Sequence, residues 1–230
     1  MFARLTTLLF FFSSFPLMGL QHVSSVEIGT DSLRRGLSIT ERQASIKVGT
    51  HLEFPFGLYS ALSVTNTGEK EAMGFLMEFN LGYGLCFHKN WKLSPEVRGF
   101  LNPFILEATT FEGGLSLSFL ENHTISLWYS PHYFATGSYT LYGSIQSGYY
   151  ILDSLKAEGA VGYQFYGDTN KASQTSYVDT KWSLWHLRGD HAIGFSFSIT
   201  SREKIDVDTK AKKPANDWAF MGQYRFKIGS

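Results

Sequence analysis

From about residue 22 onward, apolar side chains alternate with polar or small ones along the chain. In the segment 193–200, Ile, Phe, Phe and Ile alternate with Gly, Ser, Ser and Thr, and the segment 157–165 follows a similar pattern. Successive side chains of a β-strand point to opposite faces, so this period predicts strands with one apolar and one polar face. About twelve such runs occur, starting near residues 23, 42, 57, 72, 91, 110, 123, 137, 155, 176, 190 and 217.

The connections between these runs are alternately short and long. The short ones are residues 53–55, 88–90, 121–122, 153–154 and 189–190, and the long ones are residues 33–41, 66–71, 102–109, 131–136, 167–175 and 201–216. Outer-membrane barrels sort their connections in this way, with short periplasmic turns and longer external loops. We therefore predict an all-β fold in which residues 21–230 form one closed antiparallel up-and-down transmembrane β-barrel. Its strand count is about 12, with 10 or 14 as alternatives.

Charged residues inside the runs share a face with small and polar residues. Lys47, for example, has the parity of Ser45 and Gly49, whereas Leu, Ile, Val and aromatic residues occupy the other parity. Lys or Arg on the lipid face costs about 2–4 kcal/mol at the midplane of the bilayer, so the charged face is expected to line the lumen. Eight residues are therefore candidate pore-lining positions: Lys47, Glu78, Glu96, Arg98, Glu158, Asp179, Lys181 and Arg225. Their mixed signs predict weak ion selectivity or a transverse field across the pore.

The composition favours a membrane barrel over other classes. Charged residues make up 17% of the chain and aromatic residues 16%, and the formal net charge is zero. A nucleic-acid-binding protein usually carries a basic excess, so we expect no nucleic-acid partner. Aromatic residues near strand ends, among them Tyr133, Tyr149, Tyr166 and Trp218, predict girdles at the two membrane interfaces. A soluble β-sandwich is the alternative fold, and it would need one dry core between two sheets.

The N-terminus has the layout of a secretory signal peptide. Arg4 is followed by an almost wholly apolar run over residues 5–12 and then by Ser13, Ser14 and Pro16. A positive residue, a short apolar segment and small residues in this order form such a signal. The run is shorter than the roughly 20 residues that a membrane-spanning helix needs. We predict that residues 1–20 are a signal peptide and that the mature protein resides in the bacterial outer membrane.

The segment 25–39 resembles the start of the TorF family of porins, where a strand leads into the motif Ser-Asp-Tyr-x-Phe-Arg-Gly-x-Ser-Gln. Thr30 is a mild replacement, and Ser32, Arg34 and Ile39 depart from the motif. The resemblance covers about the first 45 residues of the predicted mature chain. It implies an outer-membrane porin of uncharacterised substrate with no catalytic residues. The chain matches the motif at four positions: Asp31, Arg35, Gly36 and Ser38.

The chain offers little for catalysis or for metal binding. The lone Cys86 cannot form an internal disulfide, and no histidine has helical i, i+4 spacing or a cysteine partner, so we predict no metal site and no cofactor. His22 and Ser24 share a face, as a lipid A deacylase would require, but they lie at the start of the predicted mature chain. We therefore expect no enzymatic activity.

Three functions stay open at this point. The first is a porin-like channel for the passive passage of small solutes or ions, and the second is a non-conducting structural or interaction barrel with partner-binding external loops. The third is an outer-membrane enzyme that modifies lipid. The charged segment 202–214 is expected to be an external loop, and its Lys210, Lys212 and Lys213 could contact lipopolysaccharide phosphates. The sequence does not give the oligomeric state.

Overall fold

A computed structural model describes residues 20–35, 37, 38, 40, 43–67, 74–103, 109–133, 138–167, 176–205 and 212–228, with backbone only at 33, 37, 38, 202–205 and 212–216. The predicted signal peptide, apart from Leu20, lies outside these residues. The strands are β1 (Gln21–Gly29), β2 (Leu33–Arg34), β3 (Leu37–Ser38), β4 (Ser45–Glu53), β5 (Leu58–Thr67), β6 (Gly74–Tyr83), β7 (Leu85–His88), β8 (Trp91–Leu101), β9 (Thr110–Phe119), β10 (His123–Ser130), β11 (Thr140–Leu152), β12 (Leu155–Tyr166), β13 (Tyr177–Arg188), β14 (His191–Ile205) and β15 (Lys212–Ile228).

Twelve barrel strands form a closed antiparallel sheet, because β6 and β7 act as one strand interrupted at Gly84. Sequence neighbours pair around the ring, β6 also pairs with β8, and β1 pairs with β15 to join the two ends of the chain. The predicted all-β closed antiparallel barrel of 12 strands is confirmed. Each barrel strand begins within five residues of its predicted start.

The predicted alternation of short and long connections is also present. Two-residue turns join β11 to β12 and β13 to β14, and Gly189 in the second has φ +56°, a left-handed conformation that glycine adopts without a Cβ penalty. The last long connection is shorter than predicted, because β14 continues to Ile205 and β15 starts at Lys212. The predicted loop over 202–214 is wrong in extent, since backbone pairing extends the hairpin to the pair Ile205 and Lys212.

The two faces of the sheet differ in chemistry. The outer face, which carries residues such as Ile145, Val161 and Phe195, exposes large apolar side chains that retain 36–65% of their accessible surface. Ile145 and Val161 lie directly opposite each other on β11 and β12. An apolar outer band of this kind suits contact with lipid hydrocarbon. Across the described residues, no helix has the length and apolar character to cross a membrane.

The most buried side chains on the inner face are mainly polar. They include Glu112, Gln164, Thr110 and Thr200. One apolar cluster, Tyr133, Tyr166 and Tyr177, lies at the end of the barrel with the long connections. The prediction that Tyr133 and Tyr166 belong to an interfacial girdle is therefore wrong, because their rings pack on each other and are buried. Tyr149 and Trp218, which were predicted in the same way, are exposed.

Candidate functional site

The long connection between β1 and β4 contains a small antiparallel hairpin formed by β2 and β3, here called the inner hairpin. Its base is held by Asp31, whose Oδ1 accepts hydrogen bonds from the Ser32 backbone N–H at 2.7 Å and from the Thr40 hydroxyl at 2.6 Å. The Ser45 hydroxyl, at the start of β4, donates to the Asp31 backbone carbonyl at 2.9 Å. These contacts join the two ends of the connection and direct the hairpin between them.

Two adjacent arginines of the inner hairpin bind one buried carboxylate on β9. Arg35 Nη2 donates to Glu112 Oε2 at 2.8 Å, and Arg34 Nη2 lies 3.1 Å from Glu112 Oε1. Arg35 Nη1 also donates to Gln164 Oε1 on β12 at 2.8 Å. Glu112 is 1% exposed and Gln164 is 0% exposed. A carboxylate that is removed from water in this way is stabilised by the hydrogen bond from Arg35 and by the ion pair with Arg34.

Aromatic rings of the barrel wall cover the same two guanidiniums. The Arg34 guanidinium carbon lies 3.2 Å from the centroid of the Phe100 ring on β8. The corresponding carbon of Arg35 lies 4.3 Å from the Tyr142 ring on β11. Cation–π contact of this kind is worth about 0.5–2 kcal/mol, so the rings add to the ion pairs.

The inner hairpin crosses the lumen. It starts between β1 and β4, and Glu112 on β9 is four strands away in one direction around the ring. Gln164 on β12 is four strands away in the other direction, so the hairpin reaches the opposite wall. For the described residues of the range 33–41, the prediction of an external loop is therefore wrong. Paired, ring-covered guanidiniums can remain charged inside the barrel, whereas the sequence pattern only indicated a polar connection.

Strand register assigns the eight predicted pore-lining residues to the face that carries Glu112. Arg98 lies opposite both Glu112 and Asn80, and Glu96 lies opposite Gly82 and Gly114. The eight residues divide into two groups on opposite sides of the ring. The first group is on β4, β6 and β8: Lys47, Glu78, Glu96 and Arg98. The second group is on β12, β13 and β15: Glu158, Asp179, Lys181 and Arg225.

The first group is paired along the wall. Lys47 Nζ lies 3.5 Å from Glu78 Oε2. Glu96 accepts hydrogen bonds from Arg98 Nε at 2.8 Å and from the Tyr59 hydroxyl at 3.0 Å. These contacts join residues that are close along one side of the wall, and none of them bridges the lumen.

The second group is arranged in a similar way. Arg225 donates to Glu27 Oε2 from Nε at 3.0 Å and from Nη2 at 2.9 Å. Glu158 accepts from Trp185 Nε1 at 3.2 Å, and Asp179 accepts from the Tyr142 hydroxyl at 3.2 Å.

Lys181 is half-buried on β13 and lies opposite Ala160 and Ser198, which gives it small neighbours on both adjacent strands.

Several inward-facing rings lie flat on the wall because a glycine lies beneath them. A Cβ at Gly114 would overlap the Trp128 ring, and one at Gly194 would overlap the Trp185 ring. A cation lies over each ring: the Arg98 guanidinium carbon is 3.6 Å from the Trp128 centroid, and that of Arg225 is 4.9 Å from Trp185. The absence of a side chain on glycine thus sets the position of a charged group in the lumen.

Two cavities lie at opposite ends of the barrel interior. One, of about 320 Å³, lies beneath the inner hairpin. The residues that give its charge are Arg34, Arg35, Lys47, Glu78, Arg98 and Glu112. The other, of about 440 Å³, opens among the short turns and includes Glu53, Phe54 and Lys92 in its lining. Polar space is therefore present in the barrel interior both directly beneath the hairpin and at the short-turn end.

The structure also describes part of the remaining predicted sites, beginning with the His22 and Ser24 pair. His22 Nε2 lies 2.9 Å from the Thr50 hydroxyl and 3.2 Å from the Ser24 hydroxyl. Within the described part of the chain, no group of three or more His, Cys, Asp or Glu residues could hold a metal ion. Of the four motif residues, Gly36 lies outside the described residues and the Ser38 side chain is not described. The same holds for Lys210 and for the side chains of Lys212 and Lys213.

The set of eight omitted two acidic residues that the sequence could have identified. Glu112 shares its parity with Gly114 and Ser116, and Glu27 shares its parity with Ser25 and Gly29. The parity rule that selected Glu96 therefore also selects both of them. No sequence signal identified Gln164 as the second partner of Arg35, because that contact joins residues 129 positions apart.

The fold resembles that of solved membrane-barrel proteins, two of which are porins and one an outer membrane protein. The KdgM porin is 11% identical, with a TM-score of 0.56, and the alignment covers 89% of this chain and 98% of that one. For the NanC porin the identity is 10%, the TM-score 0.57 and the coverage 90% and 98%. For Omp33 of Acinetobacter baumannii the identity is 8%, the TM-score 0.53 and the coverage 93% and 100%. A scan of protein-family models and a search of curated proteins found no match. Because the sequence identities are between 8% and 11%, the similarity establishes that this chain shares the fold of these proteins.

Proposed function

We propose that this chain is an outer-membrane porin-like channel for the passive passage of small solutes or ions, exported by means of its N-terminal signal peptide. One observation carries the proposal: the closed barrel is apolar outside and lined inside by hydrogen-bonded polar and charged side chains. A polar interior within an apolar wall provides a path for water and for what dissolves in it.

The proposed pore lining consists of the eight residues predicted from sequence together with Glu27 and Glu112. Pairing along the wall supports a lumen that stays open, and the presence of both signs in each group supports weak selectivity between cations and anions. Rings of charge tune the ion preference of a channel, so a nearly balanced set gives little preference.

We also propose a distant relation to the TorF family. Two of the matching motif residues have a structural role in the same element, since Asp31 holds the base of the inner hairpin and Arg35 binds its tip to the far wall. These two contacts support a role of the motif in anchoring the inner hairpin.

The neighbours suggest only the class of solute. The KdgM porin was solved in complex with disordered oligogalacturonate. By analogy, we propose that the solute of this channel is soluble in water. Lipopolysaccharide remains a proposed partner that rests on the lysines of the segment 202–214.

A non-conducting barrel is the second candidate, and the inner hairpin favours it. A hairpin that reaches the opposite wall occupies part of the cross-section, which has a backbone radius of about 12 Å in a twelve-stranded cylinder. The lipid-enzyme alternative has less support, because the described contacts of His22 are with the hydroxyls of Thr50 and Ser24 and none is with a carboxylate.

Swelling of protein-loaded liposomes in neutral sugars of increasing size tests the channel. We expect swelling with the smallest sugars and a sharp loss above a limiting size. Ser144→Trp places a bulky ring in the cavity beneath the hairpin and should slow the swelling. The matched change Gly143→Trp is on the outer face of the same strand and should leave it unchanged. Heat-modifiable migration on a gel verifies folding, and no swelling by folded protein contradicts the proposal.

A further inference from the structure

We propose that the inner hairpin forms the constriction of the lumen, and that Glu112 sets the ion selectivity there by offsetting one of the two positive charges of Arg34 and Arg35. This inference rests on the proposed channel function. It assigns a selectivity-determining role to a residue outside the eight predicted from sequence.

The inner hairpin lies across the lumen. Its tip contacts β8, β9, β11 and β12, which lie across the ring from its base between β1 and β4. A solute that passes through the barrel must therefore go around the hairpin. The cavity beneath the hairpin is bounded by the same arginines, so a solute leaving that cavity meets their charges.

The charges at the tip of the inner hairpin lie in a largely buried cluster. One carboxylate contacts two guanidiniums at 2.8 and 3.1 Å, and the side chains of all three residues are largely buried. Charges that are partly removed from water are screened less than surface charges, for which the Debye length is about 8 Å at physiological ionic strength. A change of one charge here consequently acts strongly on a passing ion.

Two aromatic rings of the barrel wall also hold the guanidiniums in position. Phe100 and Tyr142 hold the two guanidiniums from their faces, and a stacked guanidinium still donates hydrogen bonds in its own plane. Replacing Glu112 by Gln keeps the size of the side chain and one acceptor oxygen. We therefore expect the hairpin to stay in place in Glu112→Gln, while the net charge of the cluster rises by one because the carboxylate is lost.

Reversal potentials of purified protein in a planar bilayer under a KCl gradient test the inference. Glu112→Gln should raise the permeability ratio of chloride to potassium several-fold, and the double variant Arg34→Gln, Arg35→Gln should lower it. The matched control is Glu53→Gln, which makes the same chemical change in the wide cavity at the short-turn end. We expect the control to move the ratio much less than Glu112→Gln does.

The outcomes separate this inference from the channel proposal. Conducting variants that all keep the wild-type reversal potential overturn the role of Glu112 and leave the channel standing. Folded barrels that are silent in every variant overturn the channel and this inference with it. A wild type that is silent while Arg34→Ala, Arg35→Ala conducts supports the hairpin as the obstruction and overturns a constitutively open channel. If Glu112→Gln does not fold by gel migration, the double Gln variant decides alone.

Discussion

The inner and outer faces of one strand, β9, show how differently the two sides of this barrel are specified. Outward-facing Phe111 and Leu115 are exposed apolar side chains. Inward-facing Glu112 binds two arginines, and Gly114 receives the flat Trp128 ring. The outer face therefore needs only apolar character, whereas each of these inner positions has a particular partner.

The largest effect on stability is expected when a charged side chain is placed on the apolar outer face. Leu115→Arg puts a charge in the middle of the outer face of β9 and should lower the free energy of unfolding by about 2–4 kcal/mol. The control Ser116→Arg puts the same side chain on the inner face, where water can solvate it, and should cost much less. Urea titration of the protein in lipid vesicles measures both, and equal losses would contradict the assignment of faces.

Adjacent glycines on β9 provide a sharper test of the partnered inner face. A Cβ at Gly114 overlaps Trp128, whereas a Cβ at Gly113 has no atom within 4 Å. Gly114→Val should therefore destabilise the barrel by about 1–3 kcal/mol through overpacking. It should also change the Trp fluorescence. Gly113→Val should change neither quantity by a comparable amount, and a similar loss at both positions would show that Trp128 does not depend on the glycine.

The smallest effect is expected at a half-exposed ion pair on the inner face. Lys47→Gln removes the partner of Glu78, and exposed pairs of this kind contribute about 0–1 kcal/mol. The free energy of unfolding should hardly change, while the reversal potential should move slightly toward potassium selectivity. A shift as large as that of Glu112→Gln would locate the constriction at Lys47 instead of at the inner hairpin.

Much of the fold could be predicted because it depends on local pattern. A period of two identifies the strands, and the lengths of the turns identify their order and the two ends of the barrel. Four strands begin at the predicted residue: Trp91, Thr110, His123 and Leu155. Parity also assigned the charged residues to one face, since a misplaced charge in lipid has a large cost.

The inner hairpin could not be predicted because its contacts are not local. Arg35 is 77 positions from Glu112 and 129 from Gln164, and no periodic pattern connects residues at such separations. A pair of adjacent arginines in a long connection is as typical of an exposed loop as of a hairpin inside the lumen. The extent of the β14–β15 hairpin was missed because charged residues there hide the continued strand pairing.

Single-channel recording in a planar bilayer shows whether this barrel is a channel that the inner hairpin narrows, when the wild type is compared with the double variant Arg34→Ala, Arg35→Ala. A channel that is narrowed by the inner hairpin predicts discrete conductance steps for the wild type and larger steps for the variant, in which two long side chains are removed from the constriction. Steps of equal size would contradict the constriction. Silence from both proteins, with heat-modifiable migration showing that both are folded, would contradict the channel itself.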